Sequence, residues 1–410
     1  MKEKPQSNFW LFMSRRKMLG TMLAGAGTAL AGAGMNSLGQ RAKNKSKILL
    51  RDMPAIPAGL ETAINMPLIE ALHGRRSRRF ALGAEIPGGP LKFKSRHAPL
   101  PLSELEQMMV LTATAGNTGW FNLHPYNKNY LPHIPNYASA AGGRTFPSAA
   151  GFHTSDFFFT DDNGVYFLST RDAQNLAERD ENGAMDLNAY LQAHRARIRK
   201  LADKRMHIPP KPAHIEMHNP WCVNVPGSTL IIPVADLAQH HIAVLCYLVQ
   251  NGACIFDDVN KNPIPGMEKF SALVDVKNPY PLTYVEQLSL AEVTAELSTA
   301  CYAGALMLQA IGLGGWMFDG ITPMSVLGAS GDPEMPGLSF RYDTDERWPL
   351  PNVTGLPGVF EGFCAPQWKR LSHVSLARTA RSIPTRPARI AKTRACAAVA
   401  RFITKSSKSA

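Results

Sequence analysis

The positive charge of this 410-residue chain sits at its two ends, and that placement decides which part can fold. Residues 1–51 carry ten Lys or Arg against one Glu, and residues 363–410 carry eleven against no acid. Because the overall charge is +12, residues 52–362 are net −8. A run of like charges repels itself and buries little, so the core has to come from the middle. Hydrophobic content of 45% and charged content of 19% suffice there for one large core or two smaller ones, and exclude a disordered or fibrous chain. An acidic body with basic ends presents no basic groove, which argues against nucleic-acid binding.

Ser14-Arg15-Arg16-Lys17-Met18-Leu19 opens a Gly/Ala-rich apolar run that ends near Met35. Adjacent arginines ahead of a weakly hydrophobic run resemble the twin-arginine export signal of bacteria, an address read by the export machinery and not a part of the fold. Met18 stands where that signal most often has Phe, and Gly20 where it has Lys. Gly20, Gly25, Gly27, Gly32 and Gly34 dilute the run below what a membrane span needs, and Ala29-Leu30-Ala31 has the form of a cleavage site. The expected organisation is a signal peptide at 1–35, a linker at 36–60, a folded domain at 61–368 and a basic, unstructured tail at 369–410. The expected location is periplasmic or otherwise extracytoplasmic, with an uncleaved membrane anchor as the alternative. The twin-arginine route carries folded proteins, typically with a cofactor installed, so the signal favours a redox enzyme.

Within the body, Leu68, Ile69 and Leu72 have helical spacing, and Ser103 caps a predicted helix that ends near Gly116. Trp120 to Tyr137 shows no period and reads as a long loop. Asp156–Thr160 and Val165–Ser169 are β-rich runs joined by Asp161-Asp162-Asn163-Gly164, a hairpin signal. Four prolines break Arg195–Trp221, which is expected to cross the surface. Asp236 opens a helix that stops at Gly252, and Ser289-Leu290-Ala291-Glu292 reads as a capping box at the head of a helix running to about Ile311. The six cysteines, Cys222, Cys246, Cys254, Cys301, Cys364 and Cys396, form no C-x-x-C, so neither a zinc ribbon nor a thioredoxin-type site is indicated. Cys246 and Cys301 lie in apolar helical patterns and are expected to be buried free thiols.

Three islands carry chemistry. Arg75-Arg76-Ser77-Arg78-Arg79-Phe80 would repel itself unless it met an anion, and guanidinium with hydroxyl suits phosphate; a solvated basic patch is the plainer reading. Gly143-Arg144-Thr145-Phe146-Pro147-Ser148-Ala149-Ala150-Gly151 leads into a strand, with small residues that leave room for a planar ring. Gly312-Leu313-Gly314-Gly315-Trp316-Met317-Phe318-Asp319-Gly320 leaves an Ala-rich helix and exposes backbone N–H groups. It is not a G-x-G-x-x-G after a strand, so a dinucleotide fold is not supported.

In this order the islands resemble the FMN-dependent nitroreductase family, including its flavin oxidases that dehydrogenate azoline rings. The R-R-S-x-R-x-F start, the P-S-x-x-G turn and the A-x-x-x-G-L-G helix exit, over about residues 65–325, carry the resemblance. It implies an α+β fold with a central antiparallel β-sheet flanked by helices, and a homodimer with FMN at the subunit interface. By the same carry-over Arg75, Ser77 and Arg79, beside Arg76, would hold the phosphate and the N1/O2 side of the flavin. Pro147, Ser148 and Gly151 would line the ring, and Asp319 and Gly320, beside Gly314, would offer a backbone N–H to N5. A cation near N1/O2 favours flavin reduction and a donor at N5 steers hydride transfer, so no side-chain acid or base is required.

The implied activity is ping-pong hydride transfer through FMN to or from a small organic substrate. NAD(P)H would be the electron donor only in the cytoplasm, and a non-catalytic scaffold on the same fold is the alternative. The second phosphate-binding residue has three candidates, Arg341, Lys369 and Arg370, while stretches at about 120–140 and 177–225 look like insertions. His207, His214 and His218 with Glu216 have partial metal-ligand spacing but sit among Pro209, Pro210, Pro212 and Pro220, so no metal site is assigned. His240-His241 on a helix are expected to be one buried and one exposed. A hydrolase is disfavoured because the sequence has no nucleophile motif.

Overall fold

The computed structural model describes residues 48–53, 57, 59–122, 140–148, 151, 153–171, 173, 176–344, 351–361 and 400–404, a few of them by backbone alone. The leader, Lys369, Arg370 and most of the basic tail lie outside the described residues; the described part of the tail, Ala400–Thr404, is a strand, against the unstructured tail expected. The fold is mixed α+β.

Its largest sheet has six strands, in the order β14 (Gly314–Phe318), β18 (Ala400–Thr404), β10 (Thr229–Ala235), β6 (Ser155–Asp161), β7 (Gly164–Leu168) and β9 (Ile198–Ala202). Every neighbouring pair is antiparallel. The β6–β7 hairpin turns at Asp162-Asn163 as the sequence predicts. Side chains alternate across β6, and the core follows. Phe157 and Phe159 face one layer with Ile231 of β10, while Phe158 faces the other with Leu230 and Ile232. Full burial of each such side chain contributes roughly 1.5–3 kcal/mol.

The two layers differ in what covers them. On the first lie α3 (Glu104–Ala115), α4 (Leu187–Arg195) and the long α6 (Leu282–Ala310). On the second, among the described residues, lie the short α7 (Pro323–Leu327) and irregular chain, so the long helices gather on one face. Part of that irregular chain is the proline-broken segment expected at the surface, yet its Met206, Ile208 and Ile215 are buried, as is Cys222 just after it. Near its start it forms β9, the sheet's edge strand. Prolines prevent helix and ladder, not burial, and here they hold an extended lid of apolar side chains over the sheet.

Two helix ends were legible. Ser103 caps α3 in a reciprocal capping box with Glu106, and Asp236 caps α5 (Leu237–Gln250) by accepting from the Gln239 N–H at 2.9 Å. The predicted start of α6 was not. The helix begins two turns earlier, after Pro281, and Ser289 lies inside it, fully buried, with its hydroxyl bonded to the Val285 carbonyl at 2.8 Å. At Trp120–Asn122 the expected loop is instead the end of β4 (Asn117–Asn122), paired with β5 (Ala140–Arg144); residues 123–139 lie outside the described set. Within the stretch read as linker, β1 (Ile48–Leu49) pairs in parallel with β8 (Met185–Asp186), and Leu60, at the head of α1 (Leu60–Ile64), is buried. Cys301 is buried as expected, but Cys246 is exposed, since its side of α5 has nothing packed on it among the described residues.

Candidate functional site

A seven-residue helix, α2 (Leu68–Gly74), delivers the basic cluster to the end of α6. There the chain is stitched to the glycine-dense exit. The Arg76 N–H donates to Gln309 Oε1 at 3.2 Å, the Gly315 N–H to the Ser77 carbonyl at 3.3 Å, and the Arg78 guanidinium to the Leu313 carbonyl at 3.2 Å. Gly314 is required at this crossing, because a Cβ there would lie 2.4 Å from the Arg78 carbonyl oxygen. Arg78 is thereby spent on structure. Arg75, Arg76 and Arg79 are exposed, and among the described residues no carboxylate lies within ion-pair reach of them.

The Arg79 guanidinium carbon sits 5.7 Å from the centre of the Trp316 ring, a cation–π contact. Trp316 approaches Trp221 at 6.0 Å, and Trp221 stacks on Phe80 at 5.2 Å. Beside them burial pushes the Cys222 thiol up to about 12, with Arg79 pulling weakly the other way, so this cysteine stays protonated. Asp319 is exposed just beyond β14. Gly320 is buried against the Phe318 ring, and its carbonyl accepts the Glu216 N–H at 2.8 Å. That bond uses neither the Asp319 nor the Gly320 N–H.

The second island lies elsewhere on α6. Its Pro147 carbonyl accepts from the Thr299 hydroxyl at 3.2 Å, ten residues before Gln309, or about 15 Å along the helix. Ser148 Oγ accepts the Gly151 N–H at 3.1 Å, and Gly151 has φ +75°, which glycine tolerates. The structure therefore joins the first and third islands directly and sets the second further along the same helix. Arg341, the described candidate for a second phosphate ligand, is exposed in the small strand β15 (Arg341–Asp343).

Sequence reasoning missed a buried polar seam between α5, α6 and the start of β6. His240 and His241 are both buried, against the expected one-in, one-out pair. His240 Nε2 meets Glu292 at 2.8 Å, and His241 Nδ1 meets Ser289 Oγ at 3.2 Å. Ser155 donates to Glu296, and Arg171 lies 3.3 Å from the Asp156 carboxylate, all four well shielded. Burial holds the His153 and His241 pKa values below the usual histidine range; at His153 Glu296 opposes this and Arg144 reinforces it, and at His241 the charge of His240 reinforces it. Ser289, read as a cap, was the visible trace of this seam.

The His214 group has another use than metal binding. His214 is buried with Nδ1 2.9 Å from Ser325 Oγ and Nε2 2.9 Å from Asp332. The three residue types are those of a serine hydrolase, but Ser325 is 0% exposed and no substrate reaches it. The constellation clasps the segment around Ala213 to α7. Its carboxylate is held below the ordinary range by the Glu334 N–H and then by His214. His218 and Glu216 form only an exposed pair at 3.4 Å.

No protein-family model matches the chain, and no curated protein matches it. Among solved structures, a candidate nitroreductase from Ralstonia eutropha JMP134 is similar at 16% identity and a TM-score of 0.29, over 66% of this chain and 75% of its own. A likeness of that size assigns neither fold family nor chemistry, and both have to be argued from the residues.

Proposed function

We propose that the chain is an FMN-dependent oxidoreductase of the nitroreductase type, with that family's α+β fold around an antiparallel sheet. It passes a hydride to or from a small organic substrate in a ping-pong cycle. The observation that carries the reading is the crossing of Ser77-Arg78 over Gly314-Gly315, which leaves Arg75, Arg76 and Arg79 exposed without a described acidic partner. Cations set on a rigid helix exit fit an anionic group better than they fit each other.

FMN, when bound, supplies the hydride chemistry. Arg75 and Arg79, with the Ser77 hydroxyl, would hold its phosphate and the N1/O2 side, where a fixed positive charge would favour the reduced form. The N–H groups of Asp319 and Gly320 would orient N5, and Pro147, Ser148 and Gly151 would line the ring. The reading includes a homodimer and export through the twin-arginine machinery. It excludes NAD(P)H as donor unless the protein acts in the cytoplasm.

A second reading, a non-catalytic scaffold, is favoured by one observation: Arg79 already rests on Trp316. The absorption spectrum of the purified protein, with any released chromophore identified by mass, separates the two. FMN is expected, and each of Arg75→Ala and Arg79→Ala is expected to weaken its binding roughly 10- to 100-fold, the worth of one charge-assisted hydrogen bond. Full occupancy in both variants would remove the phosphate site. A colourless protein that takes up no added FMN would leave the scaffold.

A further inference from the structure

Residues 68–100 hold large apolar side chains out in solvent. Leu68 is 66% exposed, Ile69 69% and Leu91 75%, and Phe80 and Phe93 are also open. Sequence period gives α2 an apolar stripe, but the helix buries only Ala71. Leu68, Ile69 and Leu72 fall within about 100° of one another around the axis, so the apolar side faces out. The helix runs straight into Arg75–Phe80, and Phe80 meets Phe93 of β3 (Phe93–Lys94) edge to face at 5.4 Å. Phe80 thus ties the end of the basic cluster to the hairpin of β2 (Glu85–Ile86) and β3.

The charge of this surface is opposite to that of the body around it. Leaving out Arg75–Arg79, which serve the crossing and the flavin reading, residues 81–100 carry Lys92, Lys94 and Arg96 against Glu85, a net +2 inside a body of −8. Lys94 pairs with Glu85 at 3.1 Å, but among the described residues no carboxylate lies within ion-pair reach of Lys92 or Arg96. Lysine is depleted at the cores of protein–protein interfaces. Here Lys92 and Lys94 flank Phe93 directly, and Leu91 precedes them. Apolar tips interleaved with cations are the pattern of a surface that settles into the headgroup layer of an anionic membrane.

We propose that this face docks the protein on an anionic lipid surface. Ile69, Leu91 and Phe93 enter the boundary between headgroups and acyl chains, and Lys92 and Arg96 meet lipid phosphates. The inference needs no bound flavin and stands apart from the catalytic reading.

The test is flotation of the full chain at physiological salt with phosphatidylcholine vesicles that contain or lack phosphatidylglycerol, where binding by the basic ends is common to wild type and variant and cancels in their comparison. Wild type is expected to float with the anionic vesicles only. The combined variant Ile69→Ser, Leu91→Ser, Phe93→Ser keeps every charge and alters only open positions, and is expected to partition at least about tenfold more weakly. Its thermal melt should match wild type, and if it does not, Leu91→Ser alone is read against the same vesicles. Equal flotation of wild type and variant, or no flotation of wild type, overturns the proposal. So does a variant that floats as wild type does but sediments as a smaller species without vesicles, which would make the face a contact between two copies of the chain.

Discussion

The α5–α6 seam and the Arg75–Phe80 surface both gather ionisable groups, under opposite rules. In the seam ionisable groups are buried and answered: His240 by Glu292, Asp156 by Arg171, Glu296 by the Ser155 hydroxyl. On the surface three guanidiniums are exposed with no described carboxylate to answer them. A buried charge cannot persist without a partner, so the seam's pairs are conditions of folding. An exposed charge can, so the surface is free to serve a ligand. Mutating the first should change stability, and mutating the second should change binding.

The sharpest form of that contrast is Asp156→Ala. It leaves the Arg171 guanidinium, whose side chain is 18% exposed, without the carboxylate 3.3 Å away. Breaking a shielded pair from one side costs about 3–5 kcal/mol. A urea titration should show the midpoint falling by that measure with an unchanged slope. A loss below about 1 kcal/mol would mean that the seam is as well solvated as the surface, and the comparison would fail.

A weaker lever on the same contrast is pH. His194 is buried with Nδ1–H donating to the Tyr190 carbonyl at 2.8 Å and Nε2 accepting the Asn117 N–H at 3.0 Å, so both ring nitrogens are committed to the neutral form. Burial, with Arg144 and Arg197 adding to it and the Tyr190 carbonyl opposing, lowers its pKa from 6.5; His153 and His241 are lowered as well. The unfolded side chains take up protons as pH falls through about 6.5, before the folded ones do, so the unfolded state is favoured on the acid side. Stability should be intact above that pH and fall below it, by up to about 1.4 kcal/mol per pH unit for each histidine, until the lowered folded values are passed. The carboxylates held low, such as Asp332, act in a separate window below their usual 3.8. Urea midpoints across this range should show a slope that becomes shallower in His194→Gln. A flat profile from neutral pH to about 5 would sink the argument.

What the sequence disclosed and what it hid divide along the same line. Local devices were legible, because the Ser103 capping box and the Asp161–Gly164 turn are complete within a few residues. The seam was not. Ser289 and Glu292 imitate a helix start, and only the approach of His241, 48 residues away, shows that the serine belongs to an interior. α2 had a readable apolar stripe, but periodicity does not say whether a stripe faces core or solvent. The meeting of Arg78 with Leu313 spans 235 residues and has no spacing signal at all. The basic cluster drew notice through unusual composition, and composition names a chemistry without naming its neighbours.

The smallest effect is expected at Arg76, where side chain and main chain have separate duties. Its N–H holds the cluster to Gln309, while among the described residues its guanidinium reaches only the neighbouring Arg75 carbonyl at 2.9 Å in an exposed position. Arg76→Ala keeps the N–H and the crossing, so stability should move by less than about 0.5 kcal/mol. Gln309→Ala takes the acceptor from that N–H and should cost more, about 1 kcal/mol, because the bond is replaced by water only in part. The order matters more than either value. Were Arg76→Ala the costlier change, its charge would be answering something in the fold, and the division between a seam that stabilises and a surface that binds would no longer hold.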